Sequence, residues 1–145
     1  MINYVDVYNA YGSDQPDNLR EQYHMNCAEV LLRTGNAEYD LGLDEKAFKM
    51  MQGFGGGFYS GYTCGAFSGA LAAISARYAE DRPSKQEKAQ KAAKLFVEEF
   101  IKEFGSLNCT AIKEQHRDEK TGCDPVKVRA ADVMKRVVNQ MDAED

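Results

Sequence analysis

Ser84-Lys-Gln-Glu-Lys-Ala-Gln-Lys-Ala-Ala-Lys-Leu-Phe-Val-Glu-Glu-Phe-Ile-Lys-Glu-Phe-Gly105 is the stretch that decides the fold class. Ser84 and Glu87, directly after Pro83, have the Ser-x-x-Glu form of a capping box, whose two side chains satisfy backbone N–H groups at a helix start. Behind it Ala89, Ala92, Ala93, Phe96, Val97, Phe100, Ile101 and Phe104 recur at intervals of three and four, the apolar stripe of a long helix. Gly105 supplies a left-handed stop. A strand would need period-two alternation of β-branched residues between turn signals, and no such run occurs in the chain.

The same pattern extends in both directions. Downstream, a shorter helix begins near Asn108. A charged loop from Gln115 to Gly122 then leads to a last helix opened by Asp124-Pro125, an N-cap followed by proline at the first helical position. Val126, Val128, Ala131, Val133, Met134, Val137 and Val138 lie within that helix, and its acidic tail, residues 142–145, is expected to fray. Upstream, a third helix starts near Thr63 and carries Cys64, Phe67, Leu71 and Ile74. A second runs from Asp44 to Met51 with Ala47, Phe48 and Met51 inward. A first helix over Leu19–Arg33 presents Leu19, Tyr23, Cys27, Val30 and Leu31 on one face and stops at Gly35-Asn36. Residues 1–17, including Gly12-Ser-Asp-Gln-Pro-Asp17, form a polar entry segment. The expectation is an all-α fold, one domain over 1–145, built as a bundle of five to six helices.

Composition narrows the function classes. There are 18 Lys+Arg against 23 Asp+Glu, a net charge of −5 and a pI near 5.1, with no basic run of five residues. Nucleic acid and anionic membranes are therefore poor partners. The first residues lack the basic and apolar regions of a signal peptide. Met50 to Ala76 carries no charge, and Gly57, Gly61, Gly65 and Gly69 recur every fourth residue before Ala73, a spacing that can pack membrane helices. Gln52, Ser60, Thr63, Ser68 and Ser75 interrupt it, and Gly55-Gly56-Gly57 would break a span. A cytoplasmic, reducing location is the expectation, where thiols rest reduced.

Four cysteines in 145 residues are too few to scaffold a secreted domain, so their chemistry is of more interest than any cross-linking role. Cys64, Cys109 and Cys123 fall at or beside predicted helix starts, where unpaired N–H groups and the positive end of the dipole favour a thiolate. Cys27 reads as mid-helix on the apolar face. The intervening gaps are 36, 44 and 13 residues. They contain no Cys-x-x-Cys, no haem-attachment motif and neither zinc-finger nor ferredoxin spacing. Any shared site must be assembled by the fold. The glycine-rich segment Gly53-Phe-Gly-Gly-Gly57 follows no strand and is closed by no Gly-Lys-Ser/Thr, which argues against a nucleotide cradle. Gly65, Gly69 and Ala73 instead leave one helix face bare for the close approach of another backbone, while the preceding loop bends to seat Cys64.

Cys64-Gly65-Ala66-Phe67-Ser68-Gly69 resembles the Cys-Gly-Ala-x-x-Gly signature of the C_GCAxxG_C_C family of redox-active proteins. Cys27 in Asn26-Cys-Ala28, Cys64, Cys109 in Leu107-Asn-Cys109 and Cys123 match its four signature cysteines in order. Gly53-Phe-Gly-Gly-Gly is similar to the segment before its second cysteine, and the likeness spans roughly Asn26 to Val138. The resemblance implies a redox role and, since such proteins are often encoded near transporters, a peripheral link to a membrane transporter. A thiol–disulfide oxidoreductase would use a low-pKa thiolate, Cys64 first, and a second cysteine to resolve it, with an unidentified redox partner. Of the three pairings open to four cysteines, Cys27–Cys64 with Cys109–Cys123 is favoured because a short loop joins the latter two. The alternatives are a zinc or iron–sulfur site on Cys27, Cys64, Cys109 and Cys123, and a helical interaction protein accessory to a transporter. His24, three residues before Cys27, and His116 are secondary candidates for assistance. The glycine-lined faces make a homodimer plausible.

Overall fold

Ala92, Phe96, Phe100 and Phe104 lie one helical turn apart on α6 (Glu87–Phe104), and all four are buried in the computed structural model of the chain, which describes residues 2–144. Phe96 stacks on Phe67 with ring centroids 5.1 Å apart, and Phe100 meets Phe67 edge-on at 5.2 Å. These rings tie α6 to α5 (Gly65–Tyr78). Ile101, expected on the stripe, is 42% exposed, because the buried line keeps a strict four-residue step. The helix also starts later than the capping box suggests. Gln86 is the N-cap, without a side-chain bond to the helix, and its amide is turned back to the carbonyl of Pro83.

Eight α-helices are present among the described residues, and no strand. Besides α5 and α6 they are α1 (Tyr4–Asn9), α2 (Asp17–Tyr23), α3 (Cys27–Tyr39), α4 (Glu45–Lys49), α7 (Cys109–His116) and α8 (Asp124–Ala143). The all-α expectation holds, but the number exceeds five to six for two reasons. The polar entry segment contains α1, capped by Asn3 and anchored by buried Val5, and too short to show a period. The expected helix over Leu19–Arg33 is two helices, α2 and α3, separated by His24-Met-Asn26.

Gly35-Asn36 does not stop α3 either. The helix continues to Tyr39 and closes on Asp40 in the left-handed region (φ 52°). Gly35 serves packing instead: a Cβ there would lie 2.4 Å from the Cβ of Ala73 on α5. Gly69 is tighter still, with a Cβ position 2.1 Å from the carbonyl oxygen of Ala28. The bare face of α5 thus lets it lie directly on the α3 backbone, as the small-residue spacing implies. α8 closes the other side, burying Val126, Ala130, Val133, Met134, Val137 and Val138. Its C-terminal turn is held by Asp142, which accepts from Arg77 at 2.7 Å and from the Tyr78 hydroxyl at 2.8 Å. The tail expected to fray is therefore helical to Ala143, and Asp145 lies outside the described residues. Among the described residues no helix is long and apolar enough to cross a membrane.

Candidate functional site

All four cysteines stand at helix N-termini. Cys64 and Cys123 are the N-caps of α5 and α8, and Cys27 and Cys109 are the first residues of α3 and α7. For Cys27 this corrects the mid-helix reading. Asn26 interrupts the helix by accepting the Glu29 N–H at 2.8 Å, an N-cap bond that restarts the chain at Cys27. The Asn-x-x-Glu spacing of Asn26 and Glu29 was the sequence signal for that boundary, masked by the apolar period running through it.

Backbone contacts bring the four starts together. The Asn26 side-chain amide donates to the carbonyls of Met51 and Gln52, at 3.1 and 3.3 Å, fixing α3 against a 3₁₀ segment, Met50–Phe54. Gly65 lets Cys27 approach Cys64, since a Cβ on it would meet the Cys27 Cβ at 3.3 Å and the Phe54 carbonyl oxygen at 2.8 Å. On the other side, the Cys64 N–H donates to the Leu107 carbonyl at 2.7 Å and the Cys109 N–H to the Tyr62 carbonyl at 2.5 Å. Gly57 leaves room for Cys109, because its Cβ would lie 2.7 Å from that of Cys109. The chain reaches Tyr62 through a left-handed turn, with φ 57° at Gly56, 65° at Gly57, 63° at Phe58 and 53° at Tyr59. Two aromatic residues in that region carry strain of about 1–2 kcal/mol each. The glycine-rich loop thus bends to seat the thiols, as its steric reading anticipated.

The four cysteines line one cavity of about 410 Å³ with Tyr59, Lys113, Arg117, Asp124 and Lys127 among its other walls. All four are free thiols, Cys64 and Cys109 buried and Cys27 and Cys123 partly so. Their acidities diverge. Cys123 is lowered to about 6, first by the side-chain hydrogen bond with Cys27, against burial, and then by Lys113, Lys127 and Arg117. Cys27 is pushed up, first by its contact with Cys123 and then by burial. At Cys64 burial is the larger influence and raises the pKa, outweighing the backbone N–H groups of Phe67 and Ala66, which favour the thiolate. Burial also raises Cys109. The helix-start argument is thus right about the donors at Cys64 and wrong about the outcome, because a few backbone donors do not offset desolvation. Cys123, not Cys64, is the acidic thiol. Cys27 and Cys123 influence each other's acidity most strongly.

Three positively charged groups escaped the sequence reading. Lys127 is buried, 2% exposed, and its Nζ lies 3.0 Å from Asp124 Oδ1. Its spacing of four residues from Cys123 on one helix, inside an apolar run, was the available signal. Lys113 and Arg117 come from α7 and from the charged loop, which borders the cavity. Asp118 shapes that loop by accepting from the N–H groups of Lys120 and Thr121, each at 2.9 Å. Of the histidines, His24 lines the cavity from the break before α3, not from the same helix as Cys27. His116 packs edge-on against Phe104, with Nδ1 2.9 Å from Arg129 Nη1, and does not line the cavity. Among the described residues no group of three or more His, Cys, Asp or Glu is arranged to hold a metal ion.

Residues 25–137 match the family described as "Putative redox-active protein (C_GCAxxG_C_C)". No curated protein and no solved structure matches the chain.

Proposed function

The chain belongs to the C_GCAxxG_C_C family, described as redox-active, and from that premise we propose that it is a thiol–disulfide oxidoreductase whose working pair is Cys123 and Cys27. The observation that carries the reading is four free cysteines lining one cavity, with the acidities of Cys27 and Cys123 driven apart by their mutual influence. A thiolate formed near pH 6 is ionised at neutral pH yet keeps useful nucleophilicity, which falls only gradually with pKa. Its neighbour, held protonated, is placed to resolve the mixed disulfide that follows.

The exchange balances as follows. The Cys123 thiolate attacks one sulfur of a disulfide, a Cys123–substrate S–S bond forms, and the first substrate thiolate leaves and takes up a proton. Cys27 loses its proton and attacks the Cys123 sulfur. A Cys27–Cys123 disulfide forms and the second thiol departs. The substrate gains two electrons and two protons; the protein supplies both electrons and the Cys27 proton, and solvent supplies the other proton. Cys64 and Cys109, protonated through burial and lining the same cavity, complete the site as thiols to which the oxidation can pass by exchange. Four reduced thiols suit a reducing compartment such as the cytoplasm.

Thiol counting after mild oxidation, with disulfide mapping by mass spectrometry, tests the reading. The expected result is loss of two thiols per chain in the first phase, recovered as a Cys27–Cys123 linkage. Four thiols that stay free while a surface thiol control is oxidised would overturn it.

A further inference from the structure

The cavity carries a charge imbalance that thiol chemistry alone does not require. Lys113, Arg117 and Lys127 line it against one carboxylate, Asp124, on a chain of net charge −5. Lys127 and Asp124 are paired at 3.0 Å and offset each other. Lys113 and Arg117 are exposed, and neither is ion-paired among the described residues. Both lie near enough to Cys123 to act on its charge. Ile112 and Val126 give the same cavity an apolar wall. Its volume, about 410 Å³, suits a small molecule and not a folded protein loop.

We propose that the substrate is a small disulfide with a carboxylate a few bonds from its sulfurs. The anion is held by Lys113 and Arg117 while the S–S bond lies over Cys123. This rests on the thiol–disulfide reading above and adds the substrate class to it. In the free protein the two cations face the Cys123 thiolate and are otherwise unpaired among the described residues, so they can also hold a substrate carboxylate, and focusing by low-dielectric walls strengthens that attraction. The step is the exchange already written: two substrate thiols form as the Cys27–Cys123 dithiol becomes a disulfide.

Single-turnover oxidation of the reduced full chain by three disulfides tests this. They are dithiodipropionate (anionic), bis(2-hydroxyethyl) disulfide (neutral) and cystamine (cationic). Each rate is divided by that of a free monothiol with the same disulfide, which removes intrinsic differences in leaving group. At low salt and neutral pH the anionic disulfide should lead the neutral one by roughly tenfold. The cationic one should trail, and added salt should shrink the gap. The double variant Lys113→Gln with Arg117→Gln should bring the anionic-to-neutral ratio close to one. A ratio cancels any change in the thiolate fraction of Cys123. Equal normalised rates for all three disulfides, or a lead for cystamine, overturn the substrate class while leaving the thiol reading intact. Failure of the neutral disulfide to oxidise the protein at all overturns the thiol reading itself.

Discussion

At Cys123 the hydrogen bond from Cys27 and the charges of Lys113, Lys127 and Arg117 act against burial, and together they prevail. A group of this kind is reactive only as the thiolate, so its alkylation rate follows the ionised fraction. In the native chain the rate at Cys123 should rise through a midpoint at about pH 6 and stay level above it. Removing the donor in Cys27→Ala takes away the largest stabilising contribution, so the midpoint should move up toward the ordinary thiol range near 8.5. Iodoacetamide labelling across pH, read by peptide mass spectrometry, measures both. A midpoint already near 8.5 in the native chain would contradict the pairing. Lys127→Met keeps the buried stem and deletes the charge, so it should raise the midpoint by less than Cys27→Ala does. If Lys127→Met left the profile unmoved, the buried cation would serve only its Asp124 partner.

Glycines on α5 set how closely that helix can lie on α3, and so how closely Cys64 lies to Cys27. In Gly69→Ala the new methyl would sit 2.1 Å from the Ala28 carbonyl oxygen, a backbone atom that no rotamer change can move aside. The helices must separate. Overpacking of this kind costs about 1–3 kcal/mol, against which the better helix propensity of alanine returns about 1. Urea unfolding should therefore show Gly69→Ala destabilised, while Gly53→Ala, where a Cβ would meet nothing within 4 Å, should be close to neutral. Equal stability of the two variants would mean that α3 and α5 are not seated as described. The small-residue spacing on α5 could be read from the sequence because it repeats along one helix face. The boundary at Asn26 could not, because Leu19, Tyr23, Cys27 and Val30 keep a helical interval across a break made by one side-chain hydrogen bond. Gly35 misled for the related reason that glycine both stops helices and admits neighbours, and only the position of Ala73 distinguishes the two.

Across the whole molecule the site is a meeting of four helix starts that are remote in sequence. The order and local setting of the cysteines could be recognised in the chain, whereas their partners could not. Adjacency of Cys27 and Cys123 follows from α3 and α8 both packing on α5, a tertiary fact with no local signature. The favoured pairing of Cys109 with Cys123 rested on short loop length, yet loop-closure entropy varies only slowly with length and gives little preference. The same entropy makes a whole-molecule prediction. A Cys27–Cys123 disulfide would close a loop of about a hundred residues and restrict the unfolded chain, worth about 4–5 kcal/mol if the native backbone need not distort. Both cysteines line the same cavity and influence each other's acidity, so they are close enough for the linkage to be reached. Part of the gain is offset, since oxidation abolishes the Cys123 thiolate. Its folded pKa lies below the unfolded value, so its contribution in the reduced protein is full above the unfolded pKa and fades as pH falls through about 6. The oxidised chain should thus melt higher than the reduced one at neutral pH. That advantage should widen toward acidic pH as the reduced form loses its thiolate contribution. Thermal unfolding of both forms, with Cys123→Ser as a control that gains nothing from oxidation, measures it. A lower melting temperature on oxidation would place the disulfide elsewhere or show that it strains the helix starts it joins.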